Sequence, residues 1–404
     1  MASPIGVRQD IAFTSANHVV ADTAFHPGAV MTVAAGHTVH DTYVGFVPVL
    51  LPHFVERFAL TNTKAGWLAA CTQMPSILQP FFGHLADRLV LRWVVMLAPA
   101  VTATVMSLAG WAPNYVALAV LLITVGLSSA AFHAVGSATA GHLSGAHLGK
   151  GLSVWMVGGE LGMVIGPLLA GGTLAVLGLK GISWLMVLGW TASYVLYRRL
   201  RNEPIHAVAS AARPDWRHSV GRMRPMLLLM AGLVVLRAMA VAAPGVFAPI
   251  FLKEEGSSTL VAAVAVTVFQ AAGMFGTLAA GWVSDRVGRR AVLLFGALAG
   301  PSGLLAFTAL EGWGRFPFLF LAGAATLSMH PVCMALVQET FPESRGLANA
   351  LYLSMVFVVS SGAAVVVGVL GDHIGLRPAF VVSALITLLS VPLMLALPRD
   401  RGRA

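Results

Sequence analysis

The stretch "GWVSDRVGRRA" (Gly281–Ala291) closes one apolar run and opens the next, and it reads G-x-x-x-D-R-x-G-R-R. A looser copy, "GHLADRLVLRW" (Gly83–Trp93), stands 198 residues earlier, counting from Gly83 to Gly281. A second pair of landmarks, "GKGLS" (Gly149–Ser153) and "SRGLA" (Ser344–Ala348), is separated by 195 residues, from Gly149 to Ser344. Two unrelated motifs repeated at nearly one offset mark an internal duplication, so the chain divides into two similar halves.

What is duplicated is apolar helix. Of the 404 residues, 57% are hydrophobic and 10% charged, against about 25% charged in a soluble domain. Runs of about 20 apolar residues, enough to cross a bilayer as helix, recur between short punctuated loops. The expected spans are 29–54, 61–86, 93–112, 115–141, 150–178 and 181–200, then 226–252, 260–283, 291–310, 316–338, 346–370 and 378–397. The fold class that follows is an all-α integral membrane protein of twelve transmembrane helices in two pseudo-symmetric six-helix bundles. Its segments are an N-terminal tail (1–28), a first bundle (29–200), a basic linker (201–225), a second bundle (226–397) and a C-terminal tail (398–404). Parallel six-helix repeats are one signature of secondary transporters.

Charge placement sets the orientation. With the N-terminus inside, 18 of the 25 Lys and Arg residues fall in inside segments and 6 in outside loops. Seven of the inside ones lie in "RRLRNEPIHAVASAARPDWRHSVGRMR" (Arg198–Arg224). The positive-inside rule then puts both termini and the linker in the cytoplasm. It also accounts for the formal charge of +9 without a nucleic-acid partner. Cys71 and Cys333 fall within spans, which argues against a disulfide framework. The first 27 residues carry Arg8, Asp10 and Asp22 and have no apolar core of signal-peptide type.

The remaining Arg, Arg237, lies inside a span, as do Asp41 and Glu160. A charge at the middle of a bilayer costs about 2.5–3.5 kcal/mol on insertion scales, and such residues mark ion and solute pathways. His37, His40 and Asp41 recur at i, i+3 and i+4 and share one helical face. They are read as a proton-titrating site, with a structural hydrogen-bonded knot as the other reading. Arg237 follows Asp41 by 196 residues, so the two are near-equivalents in the two halves. Arg237 is suited to hold an anionic group bidentately; a permanent ion pair with Asp41 or Glu160 is the alternative. His40, Gln73, His133, Gln270 and His330 are the further polar residues expected to face a solute. Glu160 sits among Gly158, Gly159, Gly162, Gly166, Pro167 and Gly171, whose spacing permits close helix contact. No Walker-type G-x-x-x-x-G-K-S/T, Ser-His-Asp arrangement or zinc-ligand spacing is present. An enzyme, a cofactor and a metal centre are therefore not expected. Met226 with Met230, and Gln270 with Met274, are read as packing rather than metal ligands.

The repeated loop resembles the major facilitator superfamily over residues 29–397. Gly281, Asp285, Arg286, Gly288, Arg289 and Arg290 meet its loop motif; Gly83, Asp87 and Arg88 meet it in the weaker first copy, where Val90 replaces the second glycine. Within it, His37 four residues before Asp41, "LQPFFGHLADR" (Leu78–Arg88), "GGELGMVIGPLLAG" (Gly158–Gly171) and "QETFP" (Gln338–Pro342) are similar to the fosmidomycin-resistance group. That group often has F-H-P-E in the fourth helix, where this chain has Phe132, His133, Ala134 and Val135. It often has Asn where this chain has Glu160.

The resemblance implies alternating access in a bacterial-type inner membrane. The two loop copies would be gating motifs, with Asp87 near the start of helix eleven and Asp285 near the start of helix five at Gly149–Gly151. Gly162, Gly166 and Pro167 match an antiporter motif. The expected function is a proton-coupled exporter of a small organic, anionic solute, acting as a monomer, with Asp41, Glu160 and His37 as proton-coupling groups. The alternatives are a proton symporter or importer, and a non-transporting membrane receptor or scaffold.

Overall fold

The chain punctuates its helices as the polar residues between the apolar runs dictate. Thr61, Asn114 and Ser258 stand at helix starts, and their side chains accept from the backbone N–H of Lys64, Ala117 and Val261, which satisfies otherwise orphaned donors. Thr61 and Ser258 are 197 residues apart, so the duplication extends to the caps. A computed structural model of the chain describes residues 24–86, 89, 91–203, 216–341 and 345–395. Among these there is helix and no strand.

The first half contains α1 (Pro27–Val44), α2 (Val47–Phe58), α3 (Asn62–Gln73), α4 (Gln79–Ala86), α5 (Arg92–Leu108), α6 (Tyr115–Leu143), α7 (Leu148–Gly181) and α8 (Met186–Leu200). The second contains α9 (Trp216–Ala242), α10 (Ala248–Glu254), α11 (Thr259–Val287), α12 (Arg289–Ala309), α13 (Phe316–Thr340), α14 (Arg345–Ile374), α15 (Leu376–Leu388) and α16 (Ser390–Leu395). Nine stretches of the described residues are helical, long and apolar enough to span a membrane. One of them, Gly145–Leu200, is 56 residues long and holds two expected spans, divided at Gly178, where φ is +66°. The first two expected spans are not among the nine. Their helices are interrupted, at Gly45–Phe46 and at a tight 3₁₀ turn over Met74–Leu78, and the first carries His37, His40 and Asp41. The count of twelve therefore rests on these two broken passes.

Each half repeats one packing scheme: α1 against α7 and α9 against α14, α5 against α8 and α12 against α15, α3 and α4 against α6 and α11 against α13. The main helix pairs joining the halves are α7 with α11 and α3 with α14, and α2 also meets α10 and α11. The α1–α7 contact shows what the glycines of α7 do. A Cβ on Gly158, Gly162 or Gly166 would run into the carbonyl oxygens of Ala34, Thr38 and Thr42 respectively. Three glycines four apart thus lie on three α1 carbonyls four apart, and Asp41 is carried up against α7 as a result.

At the end away from the linker, the two halves are tied together by a carboxylate. Asp372, near the end of α14, accepts from the backbone N–H of Asn62 at 2.6 Å and of Thr63 at 2.9 Å, and from the Thr63 hydroxyl at 2.6 Å. An acid from one half therefore caps the N-terminus of a helix in the other, where the free N–H groups and helix dipole favour negative charge. The two backbones approach too closely for side chains here: a Cβ on Gly368 would strike Asn62, and one on Gly66 would strike Ala364. Asp372→Asn should weaken this clasp by about 1 kcal/mol, or roughly fivefold in the balance between the two access states. Distance measurements between spin labels on α3 and α14 at this end should broaden toward the open population. An unchanged distribution would show the clasp to be incidental.

Candidate functional site

α1 presents His37 and Asp41 one turn apart to α6 and α7, and both are buried. The His37 Nδ1 lies 2.8 Å from the Trp155 carbonyl of α7. A carbonyl only accepts, so Nδ1 carries the hydrogen and Nε2 is left to face inward. His133, from α6, is held alike: its Nδ1 is 2.8 Å from the Ser129 carbonyl. The two Nε2 atoms are 3.1 Å apart. Asp41 Oδ2 lies 3.1 Å from the first and 3.4 Å from the second. Three acceptor-capable atoms therefore converge with their remaining lone pairs toward one another. Such a cluster is complete only when a proton or another small cation sits among them. Trp155 stacks on His37 with ring centroids 3.8 Å apart, and a Cβ on Gly159 would lie 2.6 Å from His37 Nε2 and 2.9 Å from Asp41 Oδ2. The site is walled tightly on the α7 side.

His133 is the open side. Its side chain is 30% exposed against 10% for Asp41, and it lines a cleft of ≈ 220 Å³ between the halves with Gln79, Gly83, Ser137, Asn349 and Ser354. That cleft lies toward the linker end, opposite the Asp372 clasp. His40, expected to contact solute, is instead fully buried, stacked on Phe132 at 4.2 Å. Among the described residues neither of its ring nitrogens has a hydrogen-bond partner. Glu160 is half-buried on α7, one residue beyond Gly159, with its charge within electrostatic reach of Asp41.

The second half carries the matching site with the charge reversed. Arg237 on α9 is 7% exposed and donates from its guanidinium to the Thr326 carbonyl at 3.1 Å. Among the described residues it has no carboxylate partner. The alternative pair with Asp41 or Glu160 is not made: Asp41 faces His37 and His133 within its own half, and Arg237 is anchored to the Thr326 carbonyl in the other. His330 stands beside Tyr352, Nδ1 to hydroxyl 3.2 Å, with the rings stacked at 5.5 Å. Ser129, His133 and Trp155 plus 197 give Thr326, His330 and Tyr352. A fourth position, Asp41 plus 196, gives Arg237. Sequence inspection pointed to the charged and histidine positions but missed Ser129, Trp155, Thr326 and Tyr352; the constant offset was the signal available.

Gln73 and Gln270, also 197 residues apart, line a smaller cavity of ≈ 150 Å³ between the halves, together with Thr72, Met163 and Ser360. Ala238 and Val241 of α9 form part of its wall, next in sequence to Arg237.

Of the loop motifs, Asp87 and Arg88 lie outside the described residues. Gly83 lines the cleft. In the second copy, Gly288 links α11 to α12 with φ at +94°, a conformation that excludes most side chains, while Gly281 has open space around it. Arg286 lies over the Trp282 ring at 3.5 Å. Arg289 pairs with Asp285 at 2.6 Å and Glu339 at 2.9 Å and donates to the Ser284 hydroxyl; Arg290 follows it at the start of α12. Asp285 thus pairs along its own junction rather than reaching Gly149, beside which there is open space. The expected contact of Asp285 with the start of α7 is therefore not made in this structure. The spacing-based expectation of no metal-ligating set also needs correction: His37, Asp41 and His133 bring one ligand atom each within 4.8 Å of one another, a cluster assembled by α1 and α6 across 96 residues of sequence.

A family model, Major Facilitator Superfamily, matches residues 33–264 and 228–404, so both halves are covered. The chain belongs to the major facilitator superfamily. Like other proteins of this superfamily it is a multi-pass membrane transporter. It is similar to the fosmidomycin resistance protein of Escherichia coli (strain K12), 25% identical over 98% of each chain. It is also similar to the MFS-type transporter YfnC of Bacillus subtilis (strain 168), 25% identical over 90% of this chain and 91% of that one. Among solved structures, the nucleoside transporter NupG matches with a TM-score of 0.76 at 13% identity, over 91% of this chain and 99% of that one. A D-xylose–proton symporter matches with a TM-score of 0.72 at 18% identity, over 93% and 98%.

Proposed function

We propose that this facilitator is a proton-coupled exporter of a small organic anion, working by alternating access in a bacterial-type cytoplasmic membrane with both termini inside. The observation that carries the reading is the charge reversal between equivalent positions. The first half presents a carboxylate and two imidazoles with a gap for a small cation, and the second presents a buried guanidinium that meets no acidic partner among the described residues. A proton fits the first: shared among His37 Nε2, His133 Nε2 and Asp41 Oδ2, it turns three opposed lone pairs into hydrogen bonds. Glu160 adds negative charge nearby and favours the occupied state. The acid group of a solute fits the second, with the rest of the molecule extending toward Gln73 and Gln270.

Export is supported by the antiporter-like Gly162, Gly166 and Pro167 and by the likeness to a resistance protein. A receptor or scaffold needs neither buried charge, each of which carries a cost in the bilayer. The test is transport in proteoliposomes of uniform orientation, using a panel of small carboxylates and phosphonates together with fosmidomycin. An imposed pH gradient should drive net movement of at least one solute from the face bearing the linker, against the proton flow. Movement in the same direction as the proton would replace the exporter with a symporter. No gradient dependence for any transported solute would remove proton coupling.

A further inference from the structure

The three atoms that converge at the first site have the spacing of a metal-binding face. A divalent first-row metal takes nitrogen and oxygen ligands at about 2.0–2.2 Å. With ligand angles between about 90° and 110°, neighbouring donor atoms then stand roughly 3.0–3.4 Å apart. The three edges here are 3.1 Å between the two imidazole nitrogens, 3.1 Å from His37 to Asp41 and 3.4 Å from His133 to Asp41. The triangle already has the size that a metal imposes on its donors, before any metal is bound.

The surroundings fit as well. A ligating histidine usually donates its other ring N–H to a carbonyl or carboxylate, which fixes the tautomer and aims the free nitrogen at the metal. Both histidines do this, His37 to the Trp155 carbonyl and His133 to the Ser129 carbonyl, each at 2.8 Å. Trp155 stacked on His37, and Phe132 whose ring lies 5.7 Å from it, close the site on the apolar side. The cleft beside His133 supplies an entry path and room for water or solute oxygen on the remaining coordination positions. Two imidazoles and one carboxylate with open positions suit zinc and its neighbours rather than magnesium or calcium, which take oxygen donors.

We infer that His37, Asp41 and His133 form a binding site for a divalent transition-metal ion of the zinc class, open toward the inter-bundle cleft. The metal enters as a cation in competition with the proton assigned to the same atoms, since imidazole ligands bind metal only without a proton on the ligating nitrogen. Occupation by metal therefore holds the first site in a loaded state that the proton cycle cannot clear. The site on the second half does not share this property, because Arg237 replaces the carboxylate there.

The test uses the full chain without a histidine tag, purified in nanodiscs, with Co²⁺ as the probe. Saturable binding of one Co²⁺ per chain should produce a visible ligand-field band stronger than that of the aqueous ion, and Zn²⁺ should displace it. Asp41→Asn and His133→Ala should each weaken binding at least tenfold, the scale expected when a ligand is lost, while His373→Ala, at an exposed histidine, leaves the band intact. His133→Cys guards against loss through misfolding: it should restore binding with an added thiolate-to-cobalt charge-transfer band. Absence of a saturable band, or a band that survives His133→Ala unchanged, overturns the site. The outcome is separable from that of proton coupling, which is read by transport with a chelator present. Failure of pH-driven transport with an intact cobalt band removes the proton reading and leaves the metal site standing.

Discussion

Asp41→Asn is expected to abolish accumulation driven by a pH gradient while leaving exchange of solute across the membrane. One pH unit is worth about 1.4 kcal/mol per proton, which sustains roughly a tenfold concentration ratio. In the variant that ratio should fall to one. The substitution keeps the size of the side chain and removes the charge that faces His37 and His133 at 3.1 and 3.4 Å. The amide N–H can donate to an imidazole Nε2 in its place, so the packing of α1 on α7 through Gly158, Gly162 and Gly166 survives. What is lost is the negative charge that makes a proton shared among the three atoms favourable. Counterflow, which requires solute binding and the conformational change but no net proton movement, separates the two effects. Gradient-driven transport at the wild-type level would show that the carboxylate is structural, and Glu160 would be the next proton carrier to test.

The membrane fold was legible because its signals are local. The apolar runs, the loop motif at Gly281–Arg290 and the arginines of Arg198–Arg224 each speak within a few dozen residues, and their repetition fixes two halves. Asp41, Glu160 and Arg237 were legible for a different reason: a charge in an apolar span is conspicuous against its neighbours. Their partners were not. His133 reaches Asp41 only because α6 and α1 are brought together by the bundle, and nothing in a 96-residue separation announces a 3.1 Å contact between two imidazole nitrogens. The alternative pairing of Arg237 with Asp41 is absent for a related reason. Equivalent positions in a duplicated fold are each supported by their own half, so a common offset predicts a common environment and not a mutual contact. His40 shares a helical face with His37 and Asp41, yet Phe132 covers it; helical periodicity places a side chain on a face but does not say what packs over it. Helix breaks such as the π-turn at Ala243–Phe247 between α9 and α10 had no clear signal beyond Pro244.

Arg237→Ala should remove solute binding itself, and this separates the second site from the first. The guanidinium is 7% exposed, makes one bond to the Thr326 carbonyl, and meets no carboxylate among the described residues. A buried cation left in this state is costly, and an incoming anion relieves it. Hydrogen bonds to charged groups contribute about 1.5–3 kcal/mol each. Loss of a two-pronged contact should therefore weaken binding by about 3 kcal/mol or more, roughly a hundredfold in Kd. Binding measured calorimetrically on the solute identified in proteoliposomes reads this directly, without any gradient. Arg237→Lys keeps the charge but not the planar fork, and should recover part of the affinity. Asp41→Asn should by contrast retain measurable binding, because its carboxylate lies in the other half. Since the alanine variant also removes a buried charge, it should fold at least as stably as the parent chain, so a loss of binding is not a loss of protein. Undiminished affinity in Arg237→Ala would place the solute's acid group elsewhere, with the Gln73 and Gln270 cavity left to bind it through neutral hydrogen bonds alone.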